Sequence, residues 1–511
     1  MKRGTLPCLT LALTLLLTAC GDGTSAESMP PSAFPTPDAA ETVQPMAFVL
    51  PYYPSGGFHP ITGTNHTNLT LAPLLYQSLF SVDSKFQAQG GLCESYTISE
   101  DGLSWTFQLA PASFSDGSSL TPAEVVASLE LARKSDLFAS RLSSVSRVTA
   151  GEGAVTVTLS RPNGNLPVLL DIPIVKETGD PQRPLGTGPY FLEEDSDTFR
   201  LTARTGASAP LSEIPLHAIG ASDDLIYAFD AREISLVNTD LTGTNALGYS
   251  GRFETTDYAT STLLYVGFNA QSGPCRDELV RQAVSCTFDR KSVAGKLLAG
   301  HAVAAALPVH PDAAEFAAAP DFSLEADPEQ ARSLLAQAGW TGEGGAKFYK
   351  GRSSLELTLL VNLENTYKVA VAESLAGTLE ALGCTVTVSK LPWDDFLSAL
   401  QHRKFDLYLG ETTLTADFDP EPLVGPAGAI NYGGFIDSET NTLLDAWRGA
   451  RGTDRIAAAS ALHARLTETA PIAPLCFKNA SLLTQWGQVS GAQPVQQDIF
   501  AGLSGWHIAK F

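Results

Sequence analysis

Three strand patterns separated by two helix patterns fill the segment between Leu355 and Leu409. Leu355, Leu357 and Leu359 alternate with polar residues as in a half-buried strand, and Gly383 ends the first helix pattern. The strand patterns cover 355–361, 384–388 and 405–409, and the helix patterns cover 369–382 and 393–400. Strands that are joined through helices by short connections lie parallel, with right-handed crossovers. The segment therefore predicts an α/β lobe.

The stretch from Leu263 to Gly300 constrains the chain further. Its first residues alternate as in a strand, and Gly273-Pro274 ends that pattern. Apolar residues then recur on one helix face from Leu279 to Phe288, and a second short helix pattern runs to Leu298. The segments before this stretch are rich in strand patterns, whereas those after it alternate strand and helix. We therefore expect the chain to cross between two lobes here.

Length and charge narrow the class of protein. A chain of 511 residues is too long for one ordinary core, so two or three domains are expected. Its 44% hydrophobic and 17% charged residues are typical of a globular protein. The formal net charge of −22 repels nucleic acids and anionic lipids, which argues against a partner of either kind bound through a basic face.

The N-terminal segment has the pattern of a secretion signal. Lys2-Arg3 is followed by an apolar run from Leu9 to Leu17, which is too short for a membrane-spanning helix. Leu-Thr-Ala before Cys20 resembles the bacterial lipobox, which predicts a signal peptide over 1–19 and a lipidated Cys20. The alternative is an ordinary signal peptide with a chance cysteine. Residues 20–45 are rich in Gly, Ser, Ala, Thr and Pro and are expected to form a flexible tether.

Metal, redox and catalytic motifs are absent from the sequence. Apart from Cys8 and Cys20 of the N-terminal segment, five cysteines remain: Cys93, Cys275, Cys286, Cys384 and Cys476. They form no C-x-x-C pair, and because their number is odd at least one of them is a free thiol. His59 and His66 lack the i, i+4 spacing of two metal ligands on one helix face. Motifs of the G-x-S-x-G, H-E-x-x-H and P-loop types are missing as well. We therefore expect no cofactor, no metal and no enzymatic activity. The alternative is a hydrolase whose catalytic triad is assembled from remote positions in the sequence.

Several motifs, in the right order, resemble one known family. They are FN at 268–269, VRQAV at 280–284 and FDR at 288–290, together with GTGPY at 186–190, TADFDP at 415–420, APIAPL at 470–475 and the block 76–129. This set is similar to the family 5 extracellular solute-binding proteins, which are peptide- and nickel-type receptors of ABC importers. Two small departures are Cys93, where alanine is usual, and Ala110-Pro111, where arginine is common. Thr412-Thr413 stands where the family has a tryptophan, which predicts a pocket that differs from a typical dipeptide site.

The resemblance implies a fold and a division of the chain. The fold would be α/β and periplasmic-binding-protein-like (type II, cluster C-like), with two lobes and an extra α+β subdomain in the N-terminal lobe. The lobes would close on a ligand by hinge motion, with the strand near Tyr265–Asn269 as one hinge. Lobe I would comprise 46–75, 175–265 and 480–511. Subdomain II would comprise 76–174, and lobe III would comprise 266–479.

Asp417 is the leading candidate for a ligand contact. It follows the strand pattern 405–409, at the carboxyl end of an α/β sheet, where ligands tend to bind. In peptide-binding members of the family the equivalent aspartate pairs with the ligand's α-ammonium group. The alternative is that Asp417 and Asp419 cap a turn. Further candidates, each with a structural alternative, are Phe58, His59, Tyr265, Asn269 and Trp393.

The resemblance also implies a function. The chain would be a monomeric substrate-binding lipoprotein on the outer face of the cell membrane, delivering oligopeptides or dipeptides to an ABC permease. A nickel chelate, haem or an oligosaccharide are alternative cargoes within the same class. A peptide-signal receptor or an extracytoplasmic chaperone is the alternative outside transport.

Overall fold

The structure is a computed structural model that describes residues 47–196, 198–244, 248–318, 323–342 and 346–509. These residues belong to one unit, Pro45–Phe511. The predicted signal peptide 1–19, the lipidation of Cys20 and the tether 20–45 lie outside the described residues. No helix in the described ranges is both long enough and apolar enough to cross a membrane.

The N-terminal lobe is built around two four-stranded sheets and has few helices. Its strands are β1 Leu50–Tyr52, β2 Phe80–Val82, β3 Ala88–Gly90, β4 Cys93–Ile98, β5 Ser104–Leu109, β6 Val145–Ala150, β7 Ala154–Leu159, β8 Tyr190–Asp195, β9 Thr198–Ala203, β10 Glu213–Ala218 and β11 Leu236–Thr239. Its helices are α1 His66–Leu69, α2 Ala72–Leu75, α3 Pro122–Ala132 and α4 Ser222–Asp230. One sheet has the order β1-β10-β9-β8, and the other, within the predicted subdomain II, has the order β4-β5-β7-β6. A single apolar core joins both sheets, with Leu50 and Trp105 among its members.

Local sequence signals explain much of this lobe. Gly102 takes a φ of 71° in the turn between β4 and β5, as the sequence predicts for this hairpin. Thr121 and Glu124 form a capping box at the start of α3.

The helix predicted over 71–79 ends instead at Leu75. The amide of Gly188 donates to the Leu75 carbonyl (2.9 Å), so this acceptor is taken before the helix can continue. Side chains at Gly186 or Gly188 would lie within 2.5 Å of Leu75 backbone atoms, so the two glycines of the GTGPY motif permit this close approach.

Lobe III contains the predicted α/β layer. Its elements are β12 Phe253–Phe268, α5 Glu278–Cys286, α6 Arg290–Ser292, β13 Ala302–Ala304, α7 Pro328–Gln337, β14 Tyr349–Lys350, β15 Ser353–Ser354, β16 Glu356–Asn362, α8 Thr366–Leu382, β17 Thr385–Leu391, α9 Trp393–Gln401, β18 Leu407–Thr413, α10 Glu421–Val424, α11 Ser438–Gly449, α12 Gly452–Thr469 and β19 Ile472–Gln485. The chain ends with β20 Val489–Ser490 and β21 His507–Ile508. Strand β16 pairs in parallel with both β17 and β18, which confirms the prediction from the strand and helix patterns.

Two long strands connect the lobes. β12 and β19 pair antiparallel from Phe253 opposite Gln485 to Gly267 opposite Ile472, within a sheet of order β11-β19-β12-β18-β16-β17. β11 extends this ladder on the N-terminal side, and β18 extends it in lobe III. The crossing strand starts at Phe253, earlier than predicted. Its register shifts fall between Ala259 and Leu263 and between Leu264 and Tyr265, at and before the start of the predicted hinge segment.

Arg281 of the VRQAV motif and Arg290 of the FDR motif donate hydrogen bonds to backbone carbonyls within lobe III. The buried Arg281 guanidinium donates to the carbonyls of Cys275, Arg276, Thr469 and Ala470. Arg290 donates to Pro474 O (2.8 Å), at the start of β19, and burial lowers its pKa to about 10. These motif residues therefore hold α5 and the following turn against the chain that enters β19.

All five cysteines of the described residues are free thiols. Four are buried and Cys286 is half-buried, and burial raises the pKa of each thiol. The sequence required at least one free thiol. Both Cys286 and Cys384 lie in apolar sequence patterns that predict core residues; Cys384 belongs to the core, and Cys286 packs against it half-buried.

Asp498 makes stability depend on pH. Burial raises its pKa from 3.8 to about 6, while its Oδ1 accepts a hydrogen bond from the Phe500 amide (2.8 Å). The folded state therefore favours the protonated acid: this stabilisation is complete below pH 4 and is lost as the pH rises through 6. We expect Asp498→Asn to be more stable than the native chain by about 1–2 kcal/mol at pH 7.5, with little difference at pH 4. Chemical denaturation across this range, with the exposed Asp136→Asn as control, checks it; parallel pH profiles for both variants would contradict the prediction.

Candidate functional site

The carboxyl edge of the parallel strands in lobe III faces the N-terminal lobe. β16, β17 and β18 end at Asn362, Leu391 and Thr413, and the chain beyond them carries Glu364, Trp393 and Asp417. Asn365, the N-cap of α8, donates its side-chain amide to Thr242 O of the N-terminal lobe (3.1 Å). Ligands of α/β sheets bind at such edges, so this is the candidate site.

Asp417 is a buried carboxylate held by neutral groups. Its side chain accepts hydrogen bonds from Thr415 Oγ1 (2.6 Å, to Oδ1) and from Asn163 Nδ2 (3.1 Å, to Oδ2). Asp417 is 4% exposed, and in the described ranges no lysine, arginine or histidine forms a salt bridge with it. Phe418, the next residue, has a left-handed φ of 55°, closing the turn Thr415–Phe418. The two carboxylate oxygens thus accept only from neutral donors, while the guanidinium of Arg455 donates to the backbone carbonyl of Asp417 (3.4 Å).

Asp419 has a different role from Asp417. Its Oδ1 accepts from the Glu421 amide (2.9 Å) at the start of α10, so Asp419 is the residue that caps the turn. Both of its oxygens also accept from Arg448 (2.7 Å each). Burial raises the pKa of Asp419, Arg448 opposes the rise, and Asp417 adds to it. The turn-capping alternative therefore applies to Asp419 and not to Asp417.

A salt-bridge chain reaches from this turn to the N-terminal lobe. Glu421 accepts from Arg448 (2.7 Å) and from Arg161 (2.6 Å), which lies just after β7. The amide of Gly164 donates to Arg448 O (2.6 Å) in the same region. The loop Arg161–Asn165 is therefore in direct contact with lobe III beside Asp417.

An aromatic ring of the N-terminal lobe packs against the turn Thr415–Phe418. Phe86, with a φ of 59° in the β2–β3 turn, lies 4.8 Å from the Phe418 ring and 5.0 Å from the His310 ring. His310 is fully buried, its Nε2 has no hydrogen-bond partner, and burial lowers its pKa to about 4. The neutral His310 therefore behaves as part of an apolar cluster between the lobes.

Charged residues bridge the lobes at the crossing strands too. Lys478 on β19 contacts Asp240 after β11 (2.5 Å) and Glu411 on β18 (3.3 Å), and Glu411 also contacts Lys368 (3.3 Å). Burial lowers the pKa of Lys478, but the two carboxylates outweigh it and raise the pKa overall. Lys478 is thus held in its charged form between one carboxylate from each lobe.

Of the other predicted site residues, only Trp393 shares the edge with Asp417. Its side chain is 56% exposed at the start of α9, and its backbone amide donates to Glu364 Oε1 (3.1 Å). The alternative that Trp393 is a core residue is wrong, since its ring projects from the lobe and contacts Phe396 at 6.0 Å.

The structure places the remaining candidates elsewhere. Phe58 packs between Tyr52 and Phe199 in the N-terminal lobe. His59 accepts the amides of Ile61 and Thr62 on Nδ1 and contacts Glu177 through Nε2 (3.2 Å), so it stabilises a turn.

The two candidates on and just after β12 are structural in the same way. Tyr265 lies in an apolar cluster with Phe86 and Phe418, its hydroxyl 3.4 Å from that of Tyr408, and burial raises its pKa. Asn269 lies at the opposite edge of the sheet, near the start of β18. Its amide donates to Arg403 O and Phe405 O and accepts from two local amides, so it satisfies backbone groups, as the alternative proposed.

Residues near Asp417 that the sequence did not indicate come from the N-terminal lobe. Asn163 and Asp417 are 254 positions apart in the chain. The run Pro162-Asn163-Gly164-Asn165 signals a turn, and no periodicity or spacing relates it to lobe III. No group of three His, Cys, Asp or Glu side chains that could hold a metal ion occurs among the residues that the structure describes.

Two lobes joined by a pair of crossing strands, with a carboxylate buried between them, define a binding protein of the two-lobed periplasmic type. The model of the bacterial extracellular solute-binding proteins, family 5 (middle), matches residues 87–430. Because the match covers more than half of the chain, the protein belongs to this family, as its motifs predicted.

Individual relatives are similar over part or most of the chain. A putative ABC transporter peptide-binding protein of Brucella ovis is 28% identical over 317 residues, which are 57% of this chain and 59% of the relative. The chain thus spans about three fifths of the length of the first curated relatives that it matches. Among solved structures, the oligopeptide-binding protein AppA of Bacillus subtilis, in complex with a nonapeptide, has a TM-score of 0.63 at 19% identity, covering 91% of this chain and 100% of that one. A nickel ABC transporter protein of Bacillus halodurans has a TM-score of 0.73 at 19% identity, covering 89% and 98%.

Proposed function

We propose that this protein is the substrate-binding lipoprotein of an ABC importer and that it captures peptides with a free amino terminus between its two lobes. The single observation that carries the proposal is Asp417, a buried carboxylate with neutral hydrogen-bond partners at the meeting point of the lobes. An ammonium group is the partner that such a carboxylate lacks, and charge-assisted hydrogen bonds are about twice as strong as neutral ones. The α-amino group of a peptide supplies that cation.

The rest of the transport cycle follows from this role. The loaded, closed form docks as a monomer on a membrane permease, which takes the peptide without chemical change. Cys20 carries the lipid that holds the protein at the outer face of the cell membrane. The names of the Brucella ovis relative and of AppA support a peptide cargo. Thr412-Thr413, where the family has a tryptophan, favours a roomier pocket than that of a typical dipeptide receptor.

Native mass spectrometry of the chain without residues 1–20, purified gently from a bacterial host, tests the proposal. We expect a ladder of adducts with peptide masses. Asp417→Asn should weaken the binding of peptides with a free amine at least about thirtyfold, because one partner of a buried charge pair is removed. Asp394→Asn, an exposed carboxylate on α9, is the matched control and should keep the ladder.

Each other result has a definite meaning. Peptide adducts that persist unchanged in Asp417→Asn would keep the peptide cargo and refute the role of Asp417. A single sharp non-peptide mass would refute the peptide cargo. The nickel chelate is the second candidate, because a nickel ABC transporter protein has a closely similar fold.

A further inference from the structure

The side chain of Asn163 crosses from the N-terminal lobe to Asp417 with a fixed orientation. Its Oδ1 accepts the amide of Asn165 (2.9 Å), and its Nδ2 donates to Asp417 Oδ2 (3.1 Å). Asn163 is 8% exposed, so both bonds lie away from solvent. Because the bond from Asn165 fixes which end of the amide is the acceptor, the NH₂ group necessarily faces the carboxylate.

The bond between Asn163 and Asp417 depends on contact between the lobes. Asn163 lies in the loop Arg161–Asn165, which follows β7 in the N-terminal lobe, whereas Asp417 follows β18 in lobe III. The loop is held in place by Arg161 on Glu421 (2.6 Å) and by the Gly164 amide on Arg448 O (2.6 Å). Separating the lobes would break all three interactions together.

The hydrogen bonds leave the Asp417 carboxylate able to bind a cation. An ionised carboxylate has about four acceptor positions. Thr415 occupies one on Oδ1 and Asn163 occupies one on Oδ2, so each oxygen keeps a free position. Neither donor carries a charge, so the carboxylate is oriented without a salt bridge to its oxygens.

We propose that Asn163 is a positioning residue that fixes the Asp417 carboxylate toward the ligand's ammonium group only when the lobes have closed. The inference rests on the proposed function. Asn163 then acts on the release of the ligand and not on its capture, because the first encounter takes place in the open form, where Asn163 is away from Asp417. It also adds selectivity for a free amine, since a ligand without one gains nothing from the oriented carboxylate.

Exchange of bound peptides tests this role. The chain without residues 1–20 is loaded with a tryptic digest of casein, or with the same digest acetylated on its amines. It is then diluted into an excess of isotope-labelled digest, and exchange is followed by native mass spectrometry. Asn163→Ala should release free-amine peptides about tenfold faster at an unchanged association rate. Asn165→Ala, in the same loop and with no side-chain cap bond, should behave as the native protein.

Two further variants separate positioning from a merely structural effect. In an Asp417→Asn background, Asn163→Ala should cause no additional change, because the group that it orients is gone. Asn163→Ser keeps an acceptor for the Asn165 amide, as serine does in turns, but its hydroxyl is too short to reach Asp417. It should release free-amine peptides about as fast as Asn163→Ala.

The outcomes distinguish the inference from the proposed function. Native release rates in Asn163→Ala or Asn163→Ser, with peptides still lost in Asp417→Asn, would overturn the inference and leave the function standing. Additive effects of Asn163→Ala and Asp417→Asn would overturn it as well. Failure of the native protein to retain either digest, or equal retention of both, would overturn the recognition of amines and the inference with it.

Discussion

Gly164→Ala is expected to prevent full closure of the lobes and to weaken ligand binding about ten- to a hundredfold. A Cβ atom at this position would lie 1.9 Å from Ala450 O and 2.8 Å from the carbonyl carbon of the same residue. Both atoms belong to the backbone of lobe III, which cannot turn aside as a flexible side chain would. The loop Arg161–Asn165 would have to withdraw, and the closed form would become less stable by about 1–3 kcal/mol.

Calorimetric titration with the casein digest measures the affinity, and small-angle scattering of the same samples measures the radius of gyration. Gly179→Ala is the matched control, since a Cβ atom there meets no atom within 4 Å. The clash arises only when the lobes meet, so the thermal stability of the unliganded chain should change little. A Gly164→Ala variant that contracts on adding digest as the native protein does would contradict the prediction.

Arg281→Lys is expected to destabilise the fold by about 3 kcal/mol or more. The Arg281 guanidinium is 5% exposed and donates to four backbone carbonyls, two of them at Thr469 and Ala470. A lysine carries a point charge on a flexible stem and cannot reproduce the planar fork of donors. Several buried carbonyls would lose their partner, each at about 1–3 kcal/mol. Ala470, with a left-handed φ of 43°, would also lose the contact that holds its conformation.

Urea denaturation of the native and variant proteins gives the change in the free energy of unfolding. Arg352→Lys serves as control, because Arg352 is exposed on lobe III. An Arg281→Lys variant as stable as the control would show that the guanidinium contacts contribute little. Ligand affinity per folded molecule should not change, since Arg281 does not contact the candidate site.

The sequence was most informative where one physical signal decides the structure. Alternating apolar residues and helix stops were sufficient to predict the parallel strands β16, β17 and β18. The carboxyl end of such strands then made Asp417 the leading candidate for a ligand contact. The helix predicted over 71–79 failed, because a chain segment more than a hundred residues later, at Gly188, takes the acceptor at Leu75.

The candidate site was harder to predict than the fold because half of it comes from the other lobe. Tyr265 and Asn269 lie near motif residues, yet their side chains satisfy the core and the backbone of lobe III. No sequence pattern marks Asn163 as a site residue, and its side chain contacts Asp417 only because the two lobes meet in the folded protein. Contacts over such sequence separations leave no trace in local periodicity.

The paired strands β12 and β19 restrict the directions in which the two lobes can move. Adjacent strands bend readily out of the plane of their sheet, since the hydrogen bonds between them are kept. Bending within the plane would stretch one strand against the other and break the ladder. The register shifts interrupt the regular hydrogen bonding between Ala259 and Tyr265, so the two paired strands bend most easily near their middle. Opening is therefore confined to a rotation about one axis, so the lobes return to the same alignment each time they close.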